Sequence, residues 1–177
     1  MADDYPDKLD FCYWGNSILR HKADRVLQPD SEETADFIER MKERLTDHDG
    51  LGLAANQVSS EKNLCLVMLP GEDGFSEPVA LVNPEILEKS EETELREEGC
   101  LSFPEIYVPI ERPKRIKVRA HIPGEGEKEI EAEGIGARVI CHEVDHLNGI
   151  VIIDHISYSK RSMLKKKLRE IASKHNK

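Results

Sequence analysis

The chain contains no apolar run near the roughly 18 residues that a membrane-spanning helix needs. Its first residues, Met1-Ala2-Asp3-Asp4-Tyr5-Pro6-Asp7, are acidic and lack the apolar stretch of a secretory signal. They also lack the Arg-rich, acid-poor character of an organelle transit peptide, so a cytoplasmic location is expected. Cysteine is scarce. Cys12, Cys65, Cys100 and Cys141 are too few to form a disulfide scaffold in 177 residues. Cys12 and Cys65 lie among apolar neighbours and read as small buried side chains. Internal repeats and linkers that would split the chain are also missing.

What is present suits a single globular core. Hydrophobic residues make up 38% and charged residues 34%, well away from disordered composition. A domain of about 150 residues buries about 68–70% of its unfolded surface, which supports one self-sufficient core. The formal charge of −10 is unevenly spread. Lys160 to Lys177 holds eight Lys or Arg and one acid, Glu170, so this tail carries +7 and the body −17. An acidic body argues against general nucleic-acid binding.

A helix is expected after Asp30 or Ser31, either of which can cap it, with Asp30 and Glu33 spaced as a capping box. Ala35, Ile38, Met41 and Leu45 mark its buried stripe. It should end in the turn formers Asp47-His48-Asp49-Gly50. Strands are predicted over residues 64–69, 79–84, 107–110 and 115–120. A turn at 123–126 then leads to a return strand at 129–132. Residues 89–98 are polar and acidic. A helix after Glu133-Gly134 should contain Val139, Ile140, Val144 and Leu147 and stop at Asn148-Gly149. Residues 150–153, Ile-Val-Ile-Ile, are too β-branched for a good helix and predict a short strand. A last helix should begin near Ser157 or Ser159 with Met163, Leu164, Leu168 and Ile171 inward. The pattern is α+β, because regular β-α-β alternation is missing.

The most informative segment is His142-Glu143-Val144-Asp145-His146. Residues i and i+4 of a helix share one face, so the two imidazoles can hold one metal ion. Glu143 would stand beside that ion, free to take and return a proton. The plain alternative is a helix that happens to carry two histidines. The apolar flanks favour the metal, because buried imidazoles and a buried carboxylate are costly unless paired or bound to an ion. Asp145 could partner a ligand histidine or accept a structural ion pair, and the structural reading is favoured. Cys100 is the favoured third ligand, since Gly99 before it allows close backbone approach. Cys141 competes, but it points about 100° away from the His142 face on a helix and reads as packing.

Three segments together resemble the peptide deformylase family: Gly50-Leu51-Gly52-Leu53-Ala54-Ala55-Asn56-Gln57, Glu98-Gly99-Cys100-Leu101-Ser102 and His142-Glu143-Val144-Asp145-His146-Leu147. The likeness extends through Leu81-Val82-Asn83-Pro84-Glu85 and Glu131-Ala132-Glu133-Gly134, covering roughly residues 15–170. One departure is Cys141, where the family commonly has Gln.

The resemblance implies antiparallel or mixed sheets around a central helix carrying the motif, plus a C-terminal helix. It implies a single catalytic domain over residues 1–177, with 157–177 as a basic helix within it. Cys100, His142 and His146 would bind one divalent metal, Fe2+ being favoured and Zn2+, Ni2+ or Co2+ able to replace it. Glu143 would be general base and acid, and Gln57 and the Leu101 N–H would face the oxyanion. Leu51, Gly52 and Gly99 would bond the substrate main chain. Apart from the resemblance, the substrate side chain needs an apolar pocket, which the helix face around Ile135, Val139 and His142, with Phe103 and Tyr107 opposite, would line. The implied reaction removes the formyl group from N-formylmethionyl nascent chains and releases formate. The basic tail has two readings: an amphipathic helix merely docked on the body, or, as bacterial deformylases of similar build imply, a helix that docks near the ribosomal exit tunnel, which the +7 charge favours; the enzyme is expected to be a monomer. The competing reading is an H-E-x-x-H zinc endopeptidase or aminopeptidase, whose third ligand would lie downstream, with His155 available. A non-catalytic peptide-binding metalloprotein is a third reading, disfavoured by the intact Glu143 and Gln57.

Overall fold

Ser31 starts helix α1 (Glu32–Thr46): its side chain accepts from the Thr34 N–H at 3.2 Å. Asp30, the other expected cap, faces away. It accepts from the Gly124 N–H and pairs with His121, at 2.9 and 2.8 Å. The buried stripe is Thr34, Ile38, Met41 and Leu45, while Ala35 is exposed. Thr34 can be buried because its hydroxyl donates to the Gln28 carbonyl at 3.0 Å. The structure is a computed structural model that describes residues 9–175.

Among the described residues, nine strands follow in chain order: β1 (Gly52–Ala54), β2 (Leu64–Val67), β3 (Pro70–Gly71), β4 (Gly74–Phe75), β5 (Val79–Lys89), β6 (Thr93–Cys100), β7 (Phe103–Pro113), β8 (Arg115–Ile122) and β9 (Gly126–Glu133). One sheet has the order β1-β2-β5-β8-β9, while β3-β4 and β6-β7 form separate ribbons. Every named strand pair is antiparallel. The α+β expectation therefore holds.

The large sheet is covered on both faces, which explains the continuous apolar run at Leu64–Val67. Cys65 and Val67 pack toward helix α2 (Gly134–Leu147). Leu64 and Leu66, alternating with them, pack toward Ile38, Met41 and Leu45 of α1. A third cluster joins Phe103, Ile106, Val108 and Ile110 of β7 to Leu168 and Ile171 near the C-terminus.

Three local expectations need correction. Strand β6 runs through the polar stretch at 89–98, and most of its side chains are exposed. A ribbon strand with one partner and little cover has no apolar alternation to read. Residues 150–153 form no strand. Ile152–His155 is a 3₁₀ turn, closed by the Asp154 carboxylate on the Val151 N–H at 2.9 Å. Its β-branched residues are buried core anchors there. The last helix is two helices, α3 (Tyr158–Met163) and α4 (Lys165–His175). The break leaves Met163 84% exposed, whereas Leu168 and Ile171 are buried as expected.

Candidate metal centre and substrate cleft

Helix α2 packs its apolar side on the sheet and turns its histidine face toward the β6–β7 ribbon. The i, i+4 spacing brings the rings of His142 and His146 together edge to face, with centroids 4.9 Å apart. The end of β6, where the register with β7 slips between Gly99 and Cys100, delivers Cys100 to the same spot. Ligand atoms of Cys100, His142 and His146 all lie within 4.8 Å of one another. Cys100 Sγ is 3.2 Å from His146 Nε2. One thiolate and two imidazoles this close fit a single divalent transition-metal ion. Cys141 is buried in the α2–sheet cluster, as expected, and burial raises the pKa of its thiol.

The surroundings favour an ion as well. Glu143 is 3% exposed, and its Oε2 has no hydrogen-bond partner among the described residues. His146 is 1% exposed, with Nδ1 likewise unpartnered. Groups so placed are costly without a compensating ligand or charge. Burial pushes the Glu143 carboxyl up to about 7, against the opposing pull of His142. Burial pushes His146 well below the usual imidazole range, reinforced by His142. His142 moves the other way: burial would lower it, but Cys100 and Glu98 raise it further.

A charged network behind the trio escaped the sequence reading. His142 Nδ1 meets Glu98 Oε2 at 3.0 Å. Glu98 is clamped by Arg112 at 2.9 and 3.0 Å and by Arg138 at 2.7 Å. Burial alone would raise the Glu98 pKa, but His142 and Arg112 hold it well below the usual carboxylate range. Arg112 continues to Asp145, which also accepts from or shares a proton with His155 Nε2 at 2.8 Å. Asp145 is thus an ion-pair partner, as its residue type suggested. Nothing local in the sequence marks Arg112 or Arg138, because their partners arrive from other strands.

A cleft of about 630 Å³ opens in front of the trio. Its lining includes Leu51, Gly52, Gln57, Gly99 and Leu101, the expected substrate-facing set, together with Glu143. Tyr107, Ile135 and Val139 also line it. Phe103 does not. It is fully buried behind the cleft wall, 5.5 Å from the Trp14 ring, because the first residue of β7 faces the third core cluster.

The two glycines in that set have physical reasons. A methyl on Gly52 would overlap the Glu143 carboxylate, and one on Gly99 would come within 2.7 Å of the Tyr107 ring. Gln57 is 2% exposed and its amide is oriented. Oε1 accepts from the Ala54 N–H at 2.9 Å, which turns Nε2 toward Ser102 Oγ at 3.1 Å and Cys100 Sγ at 3.5 Å.

Comparison with known proteins agrees with this geometry. The polypeptide deformylase family model matches residues 8–162. The peptide deformylase of Thermotoga neapolitana is 50% identical over 160 residues, 90% of this chain and 93% of that one. The crystal structure of the Ehrlichia chaffeensis peptide deformylase superposes with a TM-score of 0.85 at 31% identity, over 92% of this chain and 96% of that one. The Met-Ala-Ser-bound class I type b peptide deformylase of Acinetobacter baumannii matches with a TM-score of 0.77 at 35% identity, over 84% and 98% of the two chains. A match of this extent in both sequence and structure leaves one assignment: the chain belongs to the peptide deformylase family.

Proposed function

We propose that Cys100, His142 and His146 hold the metal ion with which this enzyme removes the formyl group of nascent peptides, and that Glu143 moves the protons. The observation that carries the assignment is the convergence of three ligand atoms within 4.8 Å, beside a buried carboxylate oxygen with no partner. A divalent ion held there supplies Lewis acidity, which brings the ionisation of water to near neutral pH. Of the metals that suit one thiolate and two imidazoles, Fe2+ is the proposed occupant, with Zn2+, Ni2+ and Co2+ fitting the same donors.

The chain's own groups do the rest. Glu143, balanced near pH 7, takes a proton from the attacking water and returns it to the leaving amine as the formamide C–N bond breaks. Gln57 Nε2 and the Leu101 backbone N–H donate to the developing oxyanion, each such donor being worth about 10²–10³ in rate. Main-chain groups of Leu51, Gly52 and Gly99 hold the peptide extended. Tyr107, Ile135 and Val139 receive the methionine side chain. That the Acinetobacter relative holds Met-Ala-Ser supports a peptide lying in this cleft.

A zinc endopeptidase would need a downstream ligand. His155 is instead bonded to Asp145, so Cys100→Ala should abolish metal retention. Formate release from formyl-Met-Ala-Ser by the iron-loaded protein tests the reading, and its absence in the wild type would refute it. Residues 1–177 act as one catalytic domain in this proposal, monomeric and cytoplasmic. Among the described residues, no helix is long and apolar enough to cross a membrane. The basic segment from residue 157, mostly beyond the family match, is proposed to dock on the ribosome. Unchanged ribosome pelleting after deleting residues 160–177 would end that idea.

A further inference from the structure

A histidine that ligates a metal uses one ring nitrogen and donates the N–H of the other to a nearby acceptor. His142 meets that need, with Nδ1 facing Glu98 Oε2 at 3.0 Å. His146 does not. Its Nε2 lies 3.2 Å from Cys100 Sγ, so Nδ1 is the nitrogen that points away from the ligand cluster. His146 is 1% exposed, and its Nδ1 has no hydrogen-bond partner among the described residues. Bulk solvent cannot supply the acceptor there, and a buried N–H left unpaired is costly.

A second unpartnered atom lies on a residue that touches His146. Asn56 is 1% exposed, and its Oδ1 also has no partner among the described residues. Its Nδ2 donates to the His146 carbonyl. That carbonyl already accepts from the Gly149 N–H at 2.9 Å, so it does not need the amide. What the contact does is hold the amide against His146. It also fixes which way the amide faces, because the flipped form would set oxygen against oxygen. Oδ1 is then a free acceptor beside a residue whose Nδ1 lacks one.

The other acceptors nearby are engaged elsewhere. Asp145 is bonded to Arg112 and His155. Glu98 is shared by His142, Arg112 and Arg138. Glu143 keeps a free oxygen, but its carboxylate lies against Gly52 in the wall of the cleft. Asn56 sits in the 3₁₀ turn Ala55–Val58, directly before Gln57. Gln57 lines the cleft and Asn56 does not, so Asn56 acts on a substrate only through other groups.

We infer that Asn56 is a positioning residue of the metal centre: its Oδ1 accepts the His146 Nδ1–H, directly or across one buried water, and so holds Nε2 toward the ion. This rests on reading Cys100, His142 and His146 as the ligands. The two ligand histidines are then oriented by different means, a clamped carboxylate behind His142 and a neutral amide behind His146.

The test uses the full chain loaded with Zn2+, which is diamagnetic, as wild type, Asn56→Leu and Asn56→Asp. Leu is close to Asn in shape and removes both polar atoms. Asp keeps the acceptor and removes the donor. Two quantities are read: Zn2+ affinity by competition with a chelator, and the His146 Nδ1–H proton resonance by NMR. In the wild type that resonance should lie downfield, where hydrogen-bonded ring N–H groups appear. In Asn56→Leu it should move upfield, and Zn2+ affinity should fall about 10- to 100-fold. Asn56→Asp should restore both. An unchanged affinity or an unmoved resonance in Asn56→Leu overturns the inference. So does an Asn56→Asp variant no better than Asn56→Leu, because a purely structural role through Nδ2 predicts that result. If Asn56→Leu does not fold, the other two proteins decide. A wild-type resonance at the position of a free N–H, or a loss of affinity in Asn56→Asp, then overturns it. If the Cys100, His142 and His146 resonances of the wild type do not respond to Zn2+, the ligand reading itself falls, and the role of Asn56 with it.

Discussion

The two ends of the cleft handle charge in opposite ways. Behind the metal site, Glu98, Arg112 and Arg138 are 5–7% exposed, and each is paired. At the open end, Asp49 and Glu97 are exposed and unpaired among the described residues. A buried charge must be matched, because removing its partner costs about 3–5 kcal/mol. An exposed one needs no partner and acts weakly, about 0–1 kcal/mol, through a field that salt screens. The closed end is therefore built for fixed geometry. The open end carries charge that solvent and salt can screen.

Variants can sharpen that contrast, beginning with the largest effect. Glu143→Gln keeps the shape of the buried end but removes its proton carrier, and formate release should fall about 10²–10⁴-fold. Gly52→Ala leaves every charge in place but forces the Glu143 carboxylate aside. Displacing a catalytic group by about 1 Å can cost 10²-fold, so kcat should drop by that order. Arg112→Met strips Glu98 and Asp145 of a shared partner, and urea unfolding should show a loss of about 3–5 kcal/mol. A variant that unfolds like the wild type would show the buried network to be no more demanding than the rim.

The half-exposed pair Arg20–Asp154 supplies the smallest effect. Burial would raise the Asp154 pKa, but hydrogen bonds from Arg20 and the Val151 N–H lower it below 3.8. A carboxyl depressed in the folded state stabilises above its unfolded value, and that gain is lost as pH falls through its folded value. The difference in thermal midpoint between wild type and Asp154→Asn should thus be present at pH 6 and shrink as pH falls below 3.8. A difference that does not shrink on acidification would mean that the carboxylate charge is not its source.

Legibility in the sequence followed the range of the interactions. The His142–Glu143–His146 spacing is local to one helix, so residue order alone predicts its shared face. Cap and stripe signals located α1 for the same reason, although Thr34 rather than Ala35 turned inward once its hydroxyl found the Gln28 carbonyl. Strand β6 was missed because half-solvated ribbons carry no period. Residues 150–153 were misread because β-branched residues suit a buried turn as well as a strand. Phe103 was given to the pocket as an apolar residue opposite the α2 face, but strand alternation from the observed start of β7 sends it into the core.

By itself, the sequence determined the chemical inventory: a thiol, two imidazoles a helical turn apart, a carboxylate between them, and glycines where side chains would intrude. Resemblance to one family turned that inventory into a reaction. Only the tertiary structure decided which charges share the space. Glu98 meets Arg112 and Arg138 across 14 and 40 residues, and Glu105 meets Lys167 across 62. Such encounters depend on how strands and helices pack, because no local spacing encodes the distance between groups on different elements.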